Sequence, residues 1–267
     1  MSPAATARVL FSSAGFFGAP LARSMRRAAE SGYAGVEVMV TKDPATQDPR
    51  RIRELAAGYD LEVGALHAPC LLLTRRVWGT DPIEKIYRSM EVAEEAGAPL
   101  VVMHPPFRWQ RGYRAWLDER LRGLEERTGV LVAFENMFPV RVGGRPVTFH
   151  TNQDLVELDR FDDLVLDASH AAVAGHDLIE VRRRFGDRLR HVHLSDNAGK
   201  GWDSHLPPGE GVLALEDFLV DLTGAGYDGA VTLEVDLRRH AEDDPRRLRE
   251  VMVEMREGVQ RMLAASR

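Results

Sequence analysis

Short runs of β-branched and aliphatic residues alternate along the chain with longer segments whose apolar positions recur every three to four residues. The short runs predict eight strands: Val9–Phe11, Gly35–Val40, Leu61–His67, Leu100–His104, Val130–Glu135, Leu164–Asp167, Leu189–Leu194 and Ala230–Val235. The longer segments predict helices over Pro20–Ser31, Pro49–Tyr59, Pro82–Ala96, Tyr113–Thr128, Thr151–Asp159, Leu178–Phe185, Ala214–Gly224 and Pro245–Ala264. Boundary signals agree. In "TDPIEK", Asp81 is an N-cap with Pro82 in the first turn, and "EAGAP" stops that helix at Gly97. Strict strand–helix alternation implies a parallel sheet covered by helices. Eight such units in this length fit an α/β fold of one closed (β/α)8 TIM barrel, a single domain over 1–267. An open doubly wound sheet is the alternative, but "SSAGFFGAP" after the first strand lacks the G-x-G-x-x-G spacing.

The strand ends carry the chemistry. The second ends with Glu37, the third with His67, the fourth with His104 and the fifth with Glu135. The sixth ends with Asp167 and, three residues on, His170; the seventh ends with His193 and the eighth with Glu234. In a parallel barrel these ends open on one face, where barrel active sites lie. Inward positions recur at every second residue. Counting back gives Ala65 and Val63, Val102 and Leu100, Ala133 and Leu131, Val165, Thr232 and Ala230, all suited to a barrel interior. His191 shares the inward face of His193 and reads as a deeper, hydrogen-bonded core histidine. Glu37 either holds a neighbour from behind or touches substrate.

So many acids and imidazoles in one place need a countercharge. A divalent cation is the simplest, and this donor set suits Zn, Mn, Fe or Co better than Ca. Cys70 is the only cysteine, which excludes an intramolecular disulfide and a thiolate zinc site. The formal net charge of −6 argues mildly against broad nonspecific nucleic-acid binding. No signal peptide and no spanning helix is expected, so a soluble cytoplasmic protein is the default.

Beyond the seventh strand, "HVHLSDNAGKGWDSHLPPGEG" is dense in ionisable groups. Asp203 and His205 offer two further ligands from an extended segment, and Glu210 is expected to orient the loop. The plainer alternative is a solvated loop. Arginines and aromatic residues interleave after other strands: Arg75, Arg76 and Trp78, then Arg108, Trp109, Arg111, Tyr113 and Arg114, then Arg141 and Arg145. That pattern fits an anionic substrate, small or nucleic acid, unless the arginines pair with nearby acids.

The motifs "LDASHAAVAGHD", "HVHLSDN", "DSHLPPGEG" and "VTLEVD" resemble the xylose-isomerase-like barrels, a superfamily with sugar isomerase and epimerase members and an endonuclease IV branch. The resemblance covers nearly the whole chain. It implies one divalent ion on Glu135, Asp167, His193 and Glu234. In the endonuclease branch it implies three zincs, with His67, His104 and Glu135 serving one, the four residues just named another, and His170, Asp203 and His205 the third. Two chemistries follow as expectations. In the first, a divalent metal (Mn, Co, Mg or Zn) chelates a ketose or polyol while Glu135 and Glu234 exchange protons with it, and His170 and Lys200 steady substrate oxygens. A dehydratase is a close variant. In the second, up to three Zn hydrolyse a phosphoester such as abasic DNA. The first is preferred. Its partner is a small anionic or polyol substrate contacted by Glu37, Arg108, Trp109 and Lys200, rather than nucleic acid or a membrane; a homo-oligomer stays open.

Overall fold

In the computed structural model, residues 7–70, 74, 76–143, 145–150, 155–238 and 244–265 are described. Eight parallel strands close a barrel: β1 (Arg8–Ser12), β2 (Gly35–Met39), β3 (Glu62–His67), β4 (Leu100–Met103), β5 (Leu131–Glu135), β8 (Leu164–Asp167), β9 (Leu189–Leu194) and β10 (Ala230–Leu233). A short antiparallel hairpin, β6 (Val140–Val142) and β7 (Arg145–Val147), follows β5. The helices are α1 (Leu21–Glu30), α2 (Pro49–Gly58), α3 (Pro82–Ala96), α4 (Arg111–Thr128), α5 (Leu155–Leu158), α6 (Ala168–Ala174), α7 (Leu178–Phe185), α8 (Leu215–Gly224) and α9 (Pro245–Ala265). The expected closed (β/α)8 barrel is the observed one, and the strand spans agree to within two residues at either end.

Caps explain the helix boundaries. Asp81 accepts from the Ile83 N–H at 2.9 Å, Pro82 occupies the first turn, and Gly97 ends α3 in the left-handed region. The expected helix at Thr151–Asp159 reduces to Leu155–Leu158, with 151–154 outside the described residues. Two elements escaped sequence reasoning: the β6–β7 hairpin and α6. The latter is only seven residues, mostly alanine, and begins on a strand-end acid instead of after a loop.

Two apolar layers result. Between barrel and helices lies the main core, including Phe11, Phe134, Phe185 and Phe218. Inside the barrel Ala65, Leu100, Val102, Ala133 and Val165 form a separate small cluster, all at positions expected to point inward. Val63 packs with the outer layer instead, because the β2–β3 register shifts between Val36 and Glu37 and β3 carries Gly64 as an additional residue. A Cβ on Gly64 would come within 2.3 Å of Leu10, whose side chain fills that space. Leu131 is also not interior; it is 37% exposed at the start of β5. Apolar filling below and short strands above leave the polar strand ends converging at one mouth.

Candidate metal centre and its surroundings

Register brings the acids and imidazoles together. Asp167 pairs with His193 across β8–β9, and His193 with Thr232 across β9–β10, two residues before Glu234. His193 is fully buried. Its Nε2 lies 2.9 Å from Glu37 Oε2 and donates to it. Its Nδ1 faces three carboxylates: Glu234 Oε2 at 2.8 Å, Glu135 Oε1 at 3.1 Å and Asp167 Oδ2 at 3.7 Å. A proton on Nδ1 serves only one of these oxygens. Glu135 Oε2, Asp167 Oδ2 and Glu234 Oε2 are buried without a hydrogen-bond partner among the described residues. One donor atom each from Glu135, Asp167, His193 and Glu234 lies within 4.8 Å of the others. Orphaned carboxylate oxygens are costly in a protein interior, and a small cation between them removes that cost. The four residues therefore fit a divalent ion, with oxygen and imidazole donors of the kind Mn, Co, Mg and Zn accept.

Besides a group of Glu37, His191 and His193 behind it, two further groups adjoin the first on the cleft side. His67 Nε2 and His104 Nε2 approach Glu135 Oε2 at 3.6 and 3.2 Å. His170, His205 and Asp167 form a third group with metal-compatible spacing. Asp203, expected there, sits at its edge, with Oδ2 2.8 Å from His205 Nε2 and 3.4 Å from His170 Nε2. His67, His104, Glu135, His170, Asp203, His205 and Glu234 all line one cleft of about 280 Å³, and Asp167 and His193 lie beneath it.

The electrostatics are reciprocal. Burial alone would push Glu135 up, but the charges of His170 and His193 hold it well below the usual carboxylate range. Burial alone would lower His193, but Glu37, Glu234 and Glu135 raise it well above the usual imidazole range. His205 is raised to about 10 by Asp203 against burial. Asp167, where burial wins, rises to about 6.

Supporting groups fix the ligands. Asn136 donates through Nδ2 to the Asp167 carbonyl at 3.0 Å and accepts from the Asp167 N–H at 2.8 Å. Asp167 also caps α6 by accepting from the His170 N–H at 2.6 Å. His191 is the core histidine expected, with Nε2 2.9 Å from both Glu37 Oε2 and Thr232 Oγ1. Glu37 is fully buried behind His191 and His193 and is not among the residues lining the cleft.

The loop after β9 is organised by Asp196. Its carboxylate accepts from the N–H groups of Asn197, Gly209, Gly211 and Leu213 at 2.8 to 3.0 Å. A Cβ at Gly211 would stand 2.2 Å from Asp196 Oδ1, so the loop needs glycine there. Glu210, expected to orient the loop, is exposed; Asp196 does that work from within. Sequence reasoning also missed Asn136, although it directly follows a strand-end acid, and Asp236 and Arg238, which pair at the cleft rim.

Two residues expected to touch substrate are not among those lining the cleft. Arg108 is exposed and lines no cavity of the mouth, and Lys200 is exposed with its ammonium 5.8 Å from the Trp202 ring centre. Trp109 is exposed at the edge of a neighbouring cavity. Arg76, Arg108, Arg111, Arg114 and Arg145 make no ion pair with a described acid; Arg75 and the Arg141 side chain lie outside the described residues.

A model of the xylose isomerase-like TIM barrel family matches residues 25–255. An uncharacterized protein of Mycobacterium tuberculosis (strain ATCC 25618 / H37Rv) is 40% identical over 224 residues, covering 76% of this chain and 80% of that one. The fructoselysine 3-epimerase of Escherichia coli O157:H7 is 24% identical over 245 residues, covering 81% and 86%. The crystal structure of a D-tagatose 3-epimerase-like protein superposes with a TM-score of 0.71 at 25% identity, covering 97% of this chain and 98% of that one. Among the described residues, no helix is long and apolar enough to cross a membrane.

Proposed function

Since the chain belongs to the xylose isomerase-like TIM barrel family, we propose that it is a divalent-metal-dependent sugar isomerase or epimerase, with Glu135 and Glu234 as its proton-transfer pair. One observation carries this reading: four donors converge within 4.8 Å, and three of their carboxylate oxygens are buried without a hydrogen-bond partner among the described residues. Likeness to a fructoselysine 3-epimerase and to a D-tagatose 3-epimerase-like protein supports sugar chemistry.

When bound, the cation supplies positive charge beside the substrate oxygens, which acidifies the neighbouring C–H bond. Glu135 and Glu234 come from β5 and from the residue after β10, on separate parts of the barrel wall. One carboxylate takes the proton from carbon and the other, protonated, returns one from its own side. Epimerisation follows when the two act on opposite faces of the same carbon. Solvent exchange at the open cleft resets the pair. Glu37 keeps His193 in the tautomer with Nε2–H, so Nδ1 stays directed at the carboxylates. His170 and His205 line the cleft wall beside the pair, with Asp203 facing both imidazoles.

The test combines metal analysis with exchange in D2O. About one divalent ion per chain is expected, with deuterium entering the carbon next to the carbonyl of a ketose and loss of exchange on chelation. A second reading, a phosphoesterase with three zincs, is favoured by the two groups that adjoin the central one. Three tightly held zincs with cleavage of abasic DNA, and no exchange, would establish it in place of the first.

A further inference from the structure

A second cavity, of about 320 Å³, adjoins the cleft, and His104 lines both. Its walls are largely apolar, with Met103, Pro105, Phe107 and Trp109 among them. A ladder of rings runs from the surface toward the acids. Exposed Trp109 stacks on Phe107 with centroids 4.7 Å apart and planes within 3°, Phe107 stacks on His150 at 4.3 Å, and His150 meets His104 edge-on at 5.9 Å.

Two buried donors also line this cavity. Tyr113, on α4, is 4% exposed, and its hydroxyl has no hydrogen-bond partner among the described residues. Burial keeps the phenol protonated and therefore able to donate. Lys85, on α3, is 7% exposed; it donates to the Pro69 carbonyl at 2.6 Å and makes no ion pair with a described acid. Its ammonium retains two further N–H groups. A buried donor without an acceptor is costly; the Tyr113 hydroxyl is one among the described residues, and the Lys85 ammonium, only partly satisfied, shares its largely apolar chamber. Such a chamber, with a few fixed polar groups, is the common form of a ligand pocket. The groups are donors, so the complement is an acceptor-rich, negatively charged end on a flat apolar body. Exposed Arg108 and Arg111, near Trp109 and without an ion pair to a described acid, add positive charge at the surface.

We propose that this side cavity holds the non-reacting end of the substrate, an apolar planar group ending in a carboxylate that accepts from the Tyr113 hydroxyl and the Lys85 ammonium. The inference rests on reading Glu135 and Glu234 as the reacting pair, which makes His104 the junction between sugar head and carboxylate tail.

Calorimetry on the full chain tests the cavity with 3-phenylpropionate as probe and 3-phenylpropanol as its uncharged counterpart. The acid binds saturably and at least about tenfold more tightly than the alcohol. Tyr113→Phe removes one oxygen and preserves the packing; Lys85→Met removes the charge. Each weakens the acid by about tenfold without changing the alcohol. Glu234→Gln disables proton transfer but keeps probe binding, so failure of the chemistry and failure of the cavity give different results. In turnover, D-fructose is compared with fructose carrying a carboxyphenylamino group at C1. Tyr113→Phe raises KM for the second relative to the first by about tenfold. No saturable binding of the acid, equal binding of acid and alcohol, or parental affinity in both variants overturns the proposal.

Discussion

The two ends of the barrel handle charge in opposite ways. At the end where the strands begin, acids meet arginines: Arg8 with Glu62, Arg190 with Asp163, and Arg160 with Asp118. These pairs are at least partly exposed, and such pairs contribute little each. At the mouth, Glu37, Glu135, Asp167 and Glu234 are buried, and their ion-pair partners are imidazoles, with no arginine or lysine among the described residues. A fold seeking only stability would not gather four buried acids around neutral or singly charged rings. The lower end reads as stability and the mouth as function, which is the division expected of this architecture.

The largest expected effect breaks the mouth. Glu234→Gln keeps size and shape and removes one carboxylate. Turnover falls by ~10³-fold, about 4 kcal/mol of barrel-mouth catalysis. Thermal unfolding of the metal-free protein is not lowered, because one of several crowded buried charges has gone. A variant that loses turnover and stability together would make Glu234 a structural acid instead.

Asp196→Ala is next. It removes a buried acceptor of four backbone N–H groups, and about 3 kcal/mol of stability in urea unfolding goes with it. This sharpens the comparison, because Asp196 is an acid at the mouth end whose work is structural. Equal urea midpoints for parent and variant would refute that assignment.

Glu37→Gln follows. A single carboxylate oxygen, Oε2, lies 2.9 Å from Nε2 of both His191 and His193, and a neutral amide cannot match that charged acceptor. Loss of such a supporting carboxylate weakens metal affinity by about 10- to 100-fold, read by competition with a chelating dye. Unchanged affinity would leave Glu37 a core residue with no role in orienting His193.

How much of this was legible in the chain depends on distance along it. Strand-end residues such as Glu135, Asp167 and His193 could be read because a barrel sends every strand end to one mouth, so position in the element fixes position in space. Asp196 stood in plain view in "HLSDN", yet its partners at 209, 211 and 213 arrive only when the loop turns back, and no local pattern encodes that. Arg108 and Lys200 show the converse. They are near strand ends in sequence, but a loop side chain is free to point into solvent, and both do. The side cavity was only half visible: Trp109 and Tyr113 stood in the basic and aromatic stretch after β4, but Lys85 meets Tyr113 only because α3 and α4 bring them to one chamber.

The smallest effect comes from the lower end, where one acid departs from the rule of arginine pairing. Glu125, on α4, accepts from the Val132 N–H at 2.8 Å at the start of β5. Burial pushes its carboxyl up to about 7, against the pull of that N–H and with the charges of Asp163 and Asp162 adding to the push. The folded form thus holds a proton that the unfolded chain releases above the ordinary range near 4.5. Stability from this group is therefore greatest below the unfolded value and falls as pH rises from 4.5 to 7; above 7 both states are charged and the slope ends. Glu125→Gln keeps the acceptor and removes the titration. After discounting for solvent screening, it stabilises the protein at pH 8 by about 1 kcal/mol and leaves it unchanged at pH 4.5. Urea midpoints across that range test the sign: a parent whose stability rose between pH 5 and 7 relative to the variant would show Glu125 to be a favourable charge, and the lower end to be uniformly built for stability.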